Sequence, residues 1–269
     1  MGEQHVVWLY AVTRRLDFAQ FPATTGVAQE PVRIVEAADL VAVVGSVGAD
    51  EFGEDALRRN LEDLDWLEAT ARAHDAVVDL VTHFGPTVPL RLATVYRDDD
   101  SVRASLVAHR GEFDTALRRV TGRTEWGVKG YADPHSIAQH SIDERAGGVG
   151  EGTAYLLRRR AVLSAQQAAE SKAAANAHEI HEALSRIAVV AKRQPVPHAQ
   201  LLSKRAQIVL NGTYLVDNER ADEFADAVRA LDDQHPGIDL DLTGPWPPYS
   251  FAGVDQISPQ RPQAEGRQG

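Results

Sequence analysis

The sequence predicts an α+β protein built as two domains. Two observations carry this reading. Strand and helix signals run in the order β, β, β, α, β, then a helix over 98–123, then β, α, β, α, β. The chain has 269 residues, enough for two hydrophobic cores, and the helix over 98–123 ends at Gly122 before a fresh strand begins.

Residues 6–12 are apolar and rich in β-formers, as in a buried strand. Residues 18–30, with Pro22 and Gly26, read as loop. Residues 32–35 and 40–47 are strand candidates joined by a hairpin over 36–39. Leu57, Leu61, Leu64, Leu67, Ala71, His74, Val78 and Val81 recur at helical steps and predict one amphipathic helix, stopped at Gly85-Pro86. Residues 88–96 read as a strand with Pro89 near its start. Asp100 is placed to cap the helix carrying Val102, Leu106, His109, Phe113, Leu117 and Val120.

Residues 124–132 restart the fold as a strand, and 134–150 read as a polar loop. A long helix is expected over 152–193. Ala173, Ala177, Ile180, Leu184, Ile187 and Ala191 form a seam on it, suited to a coiled coil or helical hairpin. Part of so long a helix is expected to project from a small domain, and Pro195 and Pro197 end it. Residues 206–216 read as a strand in which Asn211-Gly212 marks a bulge or tight turn. Asn218 begins the helix over 219–234, and a short strand follows over 238–243. The expected organisation is an α+β domain over 1–97, a linking helix over 98–123, a second α+β domain over 124–253 and a disordered tail over 254–269.

Composition narrows the function classes. Cysteine is absent, which excludes disulfides and thiol nucleophiles and fits a reducing cytosol. A net charge of -11 disfavours nucleic acid and anionic lipid as partners, because phosphates need a basic footprint. No apolar run suggests a membrane span, and the N-terminus has no signal-peptide pattern. No phosphate-binding or nucleophile-elbow motif occurs. His178 and His181 share a helix face and could ligate a metal, but their spacing misses H-E-x-x-H and no third ligand is evident. A metal-dependent enzyme using these two histidines is therefore the alternative to a non-enzymatic protein. Asp98-Asp99-Asp100 reads as a polar linker and cap, and Arg158-Arg159-Arg160 as a surface cluster. No cofactor is implied.

Residues 244–251, GPWPPYSF, place three prolines and three aromatics within eight residues. Proline stiffens such a run, so its rings can cover the sheet of the second domain or offer a docking edge. LTGPWPPYSF at 242–251 resembles the C-terminal signature of the gas vesicle F/L family. HDAVVDLVTHFGPTVPLRLATVY (74–96), TEWGVKGY (124–131) and GTAYLLRRR (152–160) resemble three further family segments in the same order. The chain departs at Ala93, where the family's R-F-G-T strand has glycine.

The resemblance implies a two-domain fold whose second domain is a ferredoxin-like variant with an extended helix. It also implies no catalytic residues and a cytoplasmic, vesicle-associated role. The implied partners are the small hydrophobic shell protein and other gas vesicle accessory proteins. The expected contact residues are Trp246, Tyr249 and Phe251 on the aromatic run, with Ile180, Leu184 and Ile187 on the long helix.

Overall fold

The computed structural model describes residues 4–14, 21–132, 151–195 and 207–253; side chains of 151–158 and 161–162 are not described. The expected loop over 134–150, Pro197 and the expected tail lie outside the described residues. Helices and antiparallel strands are mixed, as the α+β reading expects. The chain divides into two compact units, Met1–Arg123 with Pro247–Gly269, and Thr124–Trp246. This differs from the expected boundaries. The helical region after Tyr96 is part of the first unit rather than a linker, because Val102, Leu106, Phe113 and Leu117 bury in its core. The chain also returns to that unit after Trp246.

In the first unit, β1 (His5–Thr13), β2 (Arg33–Ala37), β3 (Leu40–Gly48) and β4 (Thr87–Pro89) form a sheet in the order β2-β3-β1-β4. β5 (Val95–Tyr96) also pairs with β1. One face is covered by α1 (Ala49–Phe52), α2 (Glu54–Asn60) and α3 (Leu64–Thr82), the other by α4 (Asp99–Ala108) and α5 (Arg110–Val120). β1 supplies both cores: Val7, Leu9 and Val12 face α4 and α5, while Trp8, Tyr10 and Ala11 face α3. The adjacent Tyr10 and Ala11 share a face because the register with β3 shifts between Leu9 and Ala11.

The predicted single helix through residue 81 is two helices. The Asp63 side chain accepts from the amides of Asp65 and Trp66, which starts α3 afresh and changes the phase of the apolar stripe. Leu64 is consequently exposed, while Val77, Val78 and Val81 face the core. The α4 cap is Asp98 rather than Asp100. It accepts from the Ser101 amide and hydroxyl, which holds its pKa at about 2, with Arg97 contributing less.

The predicted strand over 88–96 breaks between β4 and β5, and Ala93 there has φ of 64°. A Cβ strains this left-handed backbone by roughly 1–2 kcal/mol. Ala93→Gly is therefore expected to stabilise the protein by about 0.5–1 kcal/mol after the added unfolded-state entropy, measurable as a raised denaturation midpoint.

The second unit runs β6 (Arg123–Ala132), α6 (Glu151–Ile187), β7 (Val190–Arg193), β8 (Gln207–Asp217), α7 (Ala221–Gln234) and β9 (Ile238–Trp246). Its strands lie in the order β7-β8-β6-β9. The predicted helix to residue 193 ends at Ile187 instead. The Val189 amide then donates to the Leu215 carbonyl, and Val190–Arg193 joins the sheet. Arg220 donates to the Ile187 carbonyl and satisfies the helix end. At 37 residues, α6 is about 55 Å long, whereas the 11-residue β8 spans only about 36 Å. The helix therefore overhangs its own sheet.

Asn211-Gly212 is not a turn but lies within the continuous strand β8, paired at Gly212 with Arg193. The glycine serves packing: a Cβ there would lie 2.6 Å from the Tyr214 hydroxyl oxygen and 2.8 Å from its ring. Gly212→Ala is expected to cost about 1.5 kcal/mol by overpacking, read as a lower midpoint in chemical denaturation.

Candidate functional site

The aromatic run divides between the two units. Trp246, paired with Glu125 at the end of β9, is 55% exposed. After it the chain enters the first unit and forms a short 3-10 turn over Tyr249–Phe251. This differs from the expected cover over the second sheet. Tyr249 packs into the α3-side core and Ala252 into the α5-side core, so the segment straddles the margin of the first sheet. Phe251 is 1% exposed, and its carbonyl accepts from Arg119 at 3.3 Å.

Tyr249 meets a buried polar and aromatic cluster. Its hydroxyl donates to Asp75 at 2.8 Å, and its ring centroid lies 6.3 Å from that of His74. Burial, followed by the charge of Asp75, pushes the phenol pKa up. His74 accepts from Trp8 Nε1 at Nδ1, 3.0 Å, and its Nε2 faces the Leu90 carbonyl at 3.1 Å. This arrangement satisfies a neutral ring protonated at Nε2. Burial lowers its pKa to about 4, against the opposing pull of the Leu90 carbonyl. His74 thus fills the apolar stripe as a hydrogen-bonded core residue. Beside it, the Tyr10 hydroxyl donates to Glu30 at 2.5 Å and accepts from the Val27 amide.

The long-helix residues are placed differently from expectation. Ile180 and Leu184 are fully buried against the second unit's own sheet, and Ile187 is half-buried there. The seam that suggested a partner helix is filled by Val128, Leu210, Tyr214 and Phe224 of the same chain. Of the six residues expected to meet a partner, Trp246 alone is exposed. Ile180, Leu184 and Phe251 have no accessible side chain to offer, while Ile187 and Tyr249 keep part of theirs.

His178 and His181 do not form a metal pair. His181 Nδ1 shares a hydrogen bond with the Tyr214 hydroxyl at 2.8 Å, while exposed His178 pairs with Glu182 at 3.3 Å. Burial first, then nearby Arg193 and His178, lowers the His181 pKa. Among the described residues, no three His, Asp or Glu side chains gather as a metal-ligand set, and no helix is long and apolar enough to cross a membrane. Sequence reasoning missed Asp75 and Arg119 as partners of the aromatic run. Nothing in their local sequence distinguishes them from other surface charges.

Comparison with known proteins agrees along nearly the whole chain. The family described as "Gas vesicle synthesis protein GvpL/GvpF" matches residues 6–253. Gas vesicle protein L of Streptomyces sp. (strain CB03234) is 40% identical over 99% of this chain and 100% of its own length. Gas vesicle protein F of the same strain is 28% identical, covering 82% of this chain and 88% of that protein. The crystal structure of GvpF from Anabaena sp. PCC7120 has a similar fold, with a TM-score of 0.67 over 92% of this chain and 96% of that one at 16% identity. With the family matching residues 6–253 and one relative 40% identical over essentially both full lengths, the chain belongs to the GvpL/GvpF family of gas vesicle synthesis proteins.

Proposed function

We propose that this protein is a non-enzymatic accessory or minor structural protein of the gas vesicle, of the L type. The observation that carries the reading is 40% identity to a gas vesicle protein L over essentially both full lengths. The order β9-β6-β8-β7 with two helices supports reading the second unit as a ferredoxin-like domain carrying an extended helix. The proposed partners are the small hydrophobic shell protein and other gas vesicle accessory proteins, met in the cytoplasm. A hydrophobic shell subunit needs its apolar surface shielded before assembly. Among the described residues, surfaces that suit the task include Trp246 and the outer part of α6, where Arg159, Arg160 and Leu163 are exposed.

Two experiments test this. Cells that form gas vesicles are expected to lose or sharply reduce them when the protein is deleted; an unchanged vesicle yield contradicts the role. A pull-down with purified shell protein is expected to weaken when Trp246→Ala is combined with Leu163→Ser. Unchanged capture contradicts the contact assignment while leaving the assembly role standing.

A further inference from the structure

We propose that the seat of the signature run on the first unit is a peptide-binding site, and that the same run of a second copy of this chain can fill it. The seat lies at the margin of the first sheet, where the α3-side and α5-side cores meet the run. It offers the Asp75 carboxylate to the Tyr249 hydroxyl at 2.8 Å and the His74 ring to the Tyr249 ring, centroid to centroid 6.3 Å. The Arg119 guanidinium donates to the Phe251 carbonyl at 3.3 Å, and Phe251 and Ala252 are buried.

The run meets this seat as a ligand would. The Tyr249 amide donates to the Pro247 carbonyl, and the Phe251 and Ala252 amides donate to that of Pro248, so these bonds close within the run. Pro247 and Pro248 fix their own φ angles. A segment that carries its own turn docks at low entropy cost.

The seat does not depend on the covalent path of the run. The first unit's other elements end at Arg123, and the run returns only after residues 124–246 have formed the second unit. Asp75 and Arg119, which anchor it, are exposed residues that a run from another molecule reaches. A second copy brings the identical side chains, and reciprocal exchange of the two runs closes a dimer.

Concentration decides between the two sources. A tethered segment acts at a roughly millimolar effective concentration. In dilute protein the chain's own run therefore holds the seat, and a second copy competes where copies are crowded to that level. The assignment rests on the first unit alone and is independent of the vesicle role.

The test uses the full-length protein and a fluorescent peptide of residues 247–253, PPYSFAG. The same peptide with Ala at both aromatic positions is the control. Phe251→Ala loosens the protein's own run, so this variant is expected to bind the native peptide about tenfold or more tightly than wild type does, and its denaturation midpoint is expected to rise with added peptide. Phe251→Leu, a milder lesion, gives the same comparison if circular dichroism shows the alanine variant unfolded. No binding, equal binding by variant and wild type, or equal binding of the control peptide overturns the seat. Wild-type protein at about 1 mM is expected to show a dimer in sedimentation that excess native peptide disperses. No dimer, or a dimer indifferent to the peptide, overturns a second copy as the occupant.

Discussion

Replacing Phe251 by Ala is expected to destabilise the first unit by about 4 kcal/mol. Phe251 is 1% exposed although it lies far from the rest of its unit in sequence. Removing its ring loses the transfer free energy of a phenyl group and leaves a cavity at the sheet margin. Tyr249→Phe keeps the ring and removes only the hydrogen bond to Asp75, so its expected cost is about 1 kcal/mol. Trp246→Ala removes the largest aromatic of the run from an exposed position, and its expected cost is under about 0.5 kcal/mol. Chemical denaturation of the three variants checks this ranking. A Trp246 variant less stable than the Phe251 variant would invert it.

Lowering the pH from 7 to 5 is expected to cost roughly 2 kcal/mol through His74 alone. The sign follows from its pKa, about 4 in the folded protein against 6.5 for an ordinary histidine. Between those values the unfolded chain binds a proton that the folded protein refuses. The contribution is therefore fully present above pH 6.5 and declines as pH falls towards 4. In the folded protein, protonating Nδ1 would also break the bond accepted from Trp8, leaving an indole donor unpaired in the core. His74→Asn keeps an acceptor for Trp8 but cannot titrate. The stability of this variant is expected to vary less between pH 7 and 5 than that of wild type, and equal slopes would remove His74 as the cause.

Local patterns made most elements readable, and the failures have physical causes. The apolar run on β1, the hairpin between β2 and β3 and the stripe on α7 each follow from side-chain periodicity, which sequence displays directly. The seam on α6 was visible too, yet a periodic stripe states only that one face is buried. It does not say what buries it, and here Tyr214 and Phe224 of the same unit do so. Asn211-Gly212 has the composition of a turn, but its glycine makes room for the ring two residues later. The break at Asp63 depended on one carboxylate reaching two amides, which outweighed the continuing leucine spacing.

The aromatic run shows the same limit at long range. Its composition announced rigidity and burial, whereas its destination depended on Asp75 and Arg119, more than a hundred residues earlier. GPWPPYSF therefore identifies the family well while burying Pro248 and Phe251 in the scaffold. Trp246 stays outside as the one exposed ring of the run, and the residues after it complete a core.

Amide hydrogen exchange on the full-length protein, comparing wild type with Phe251→Ala, tests directly whether the signature run completes the first unit. Protection is predicted to fall in β1, α3 and α5 and to hold in β8 and β9. Loss of protection confined to β8 and β9, with β1 unchanged, would contradict it.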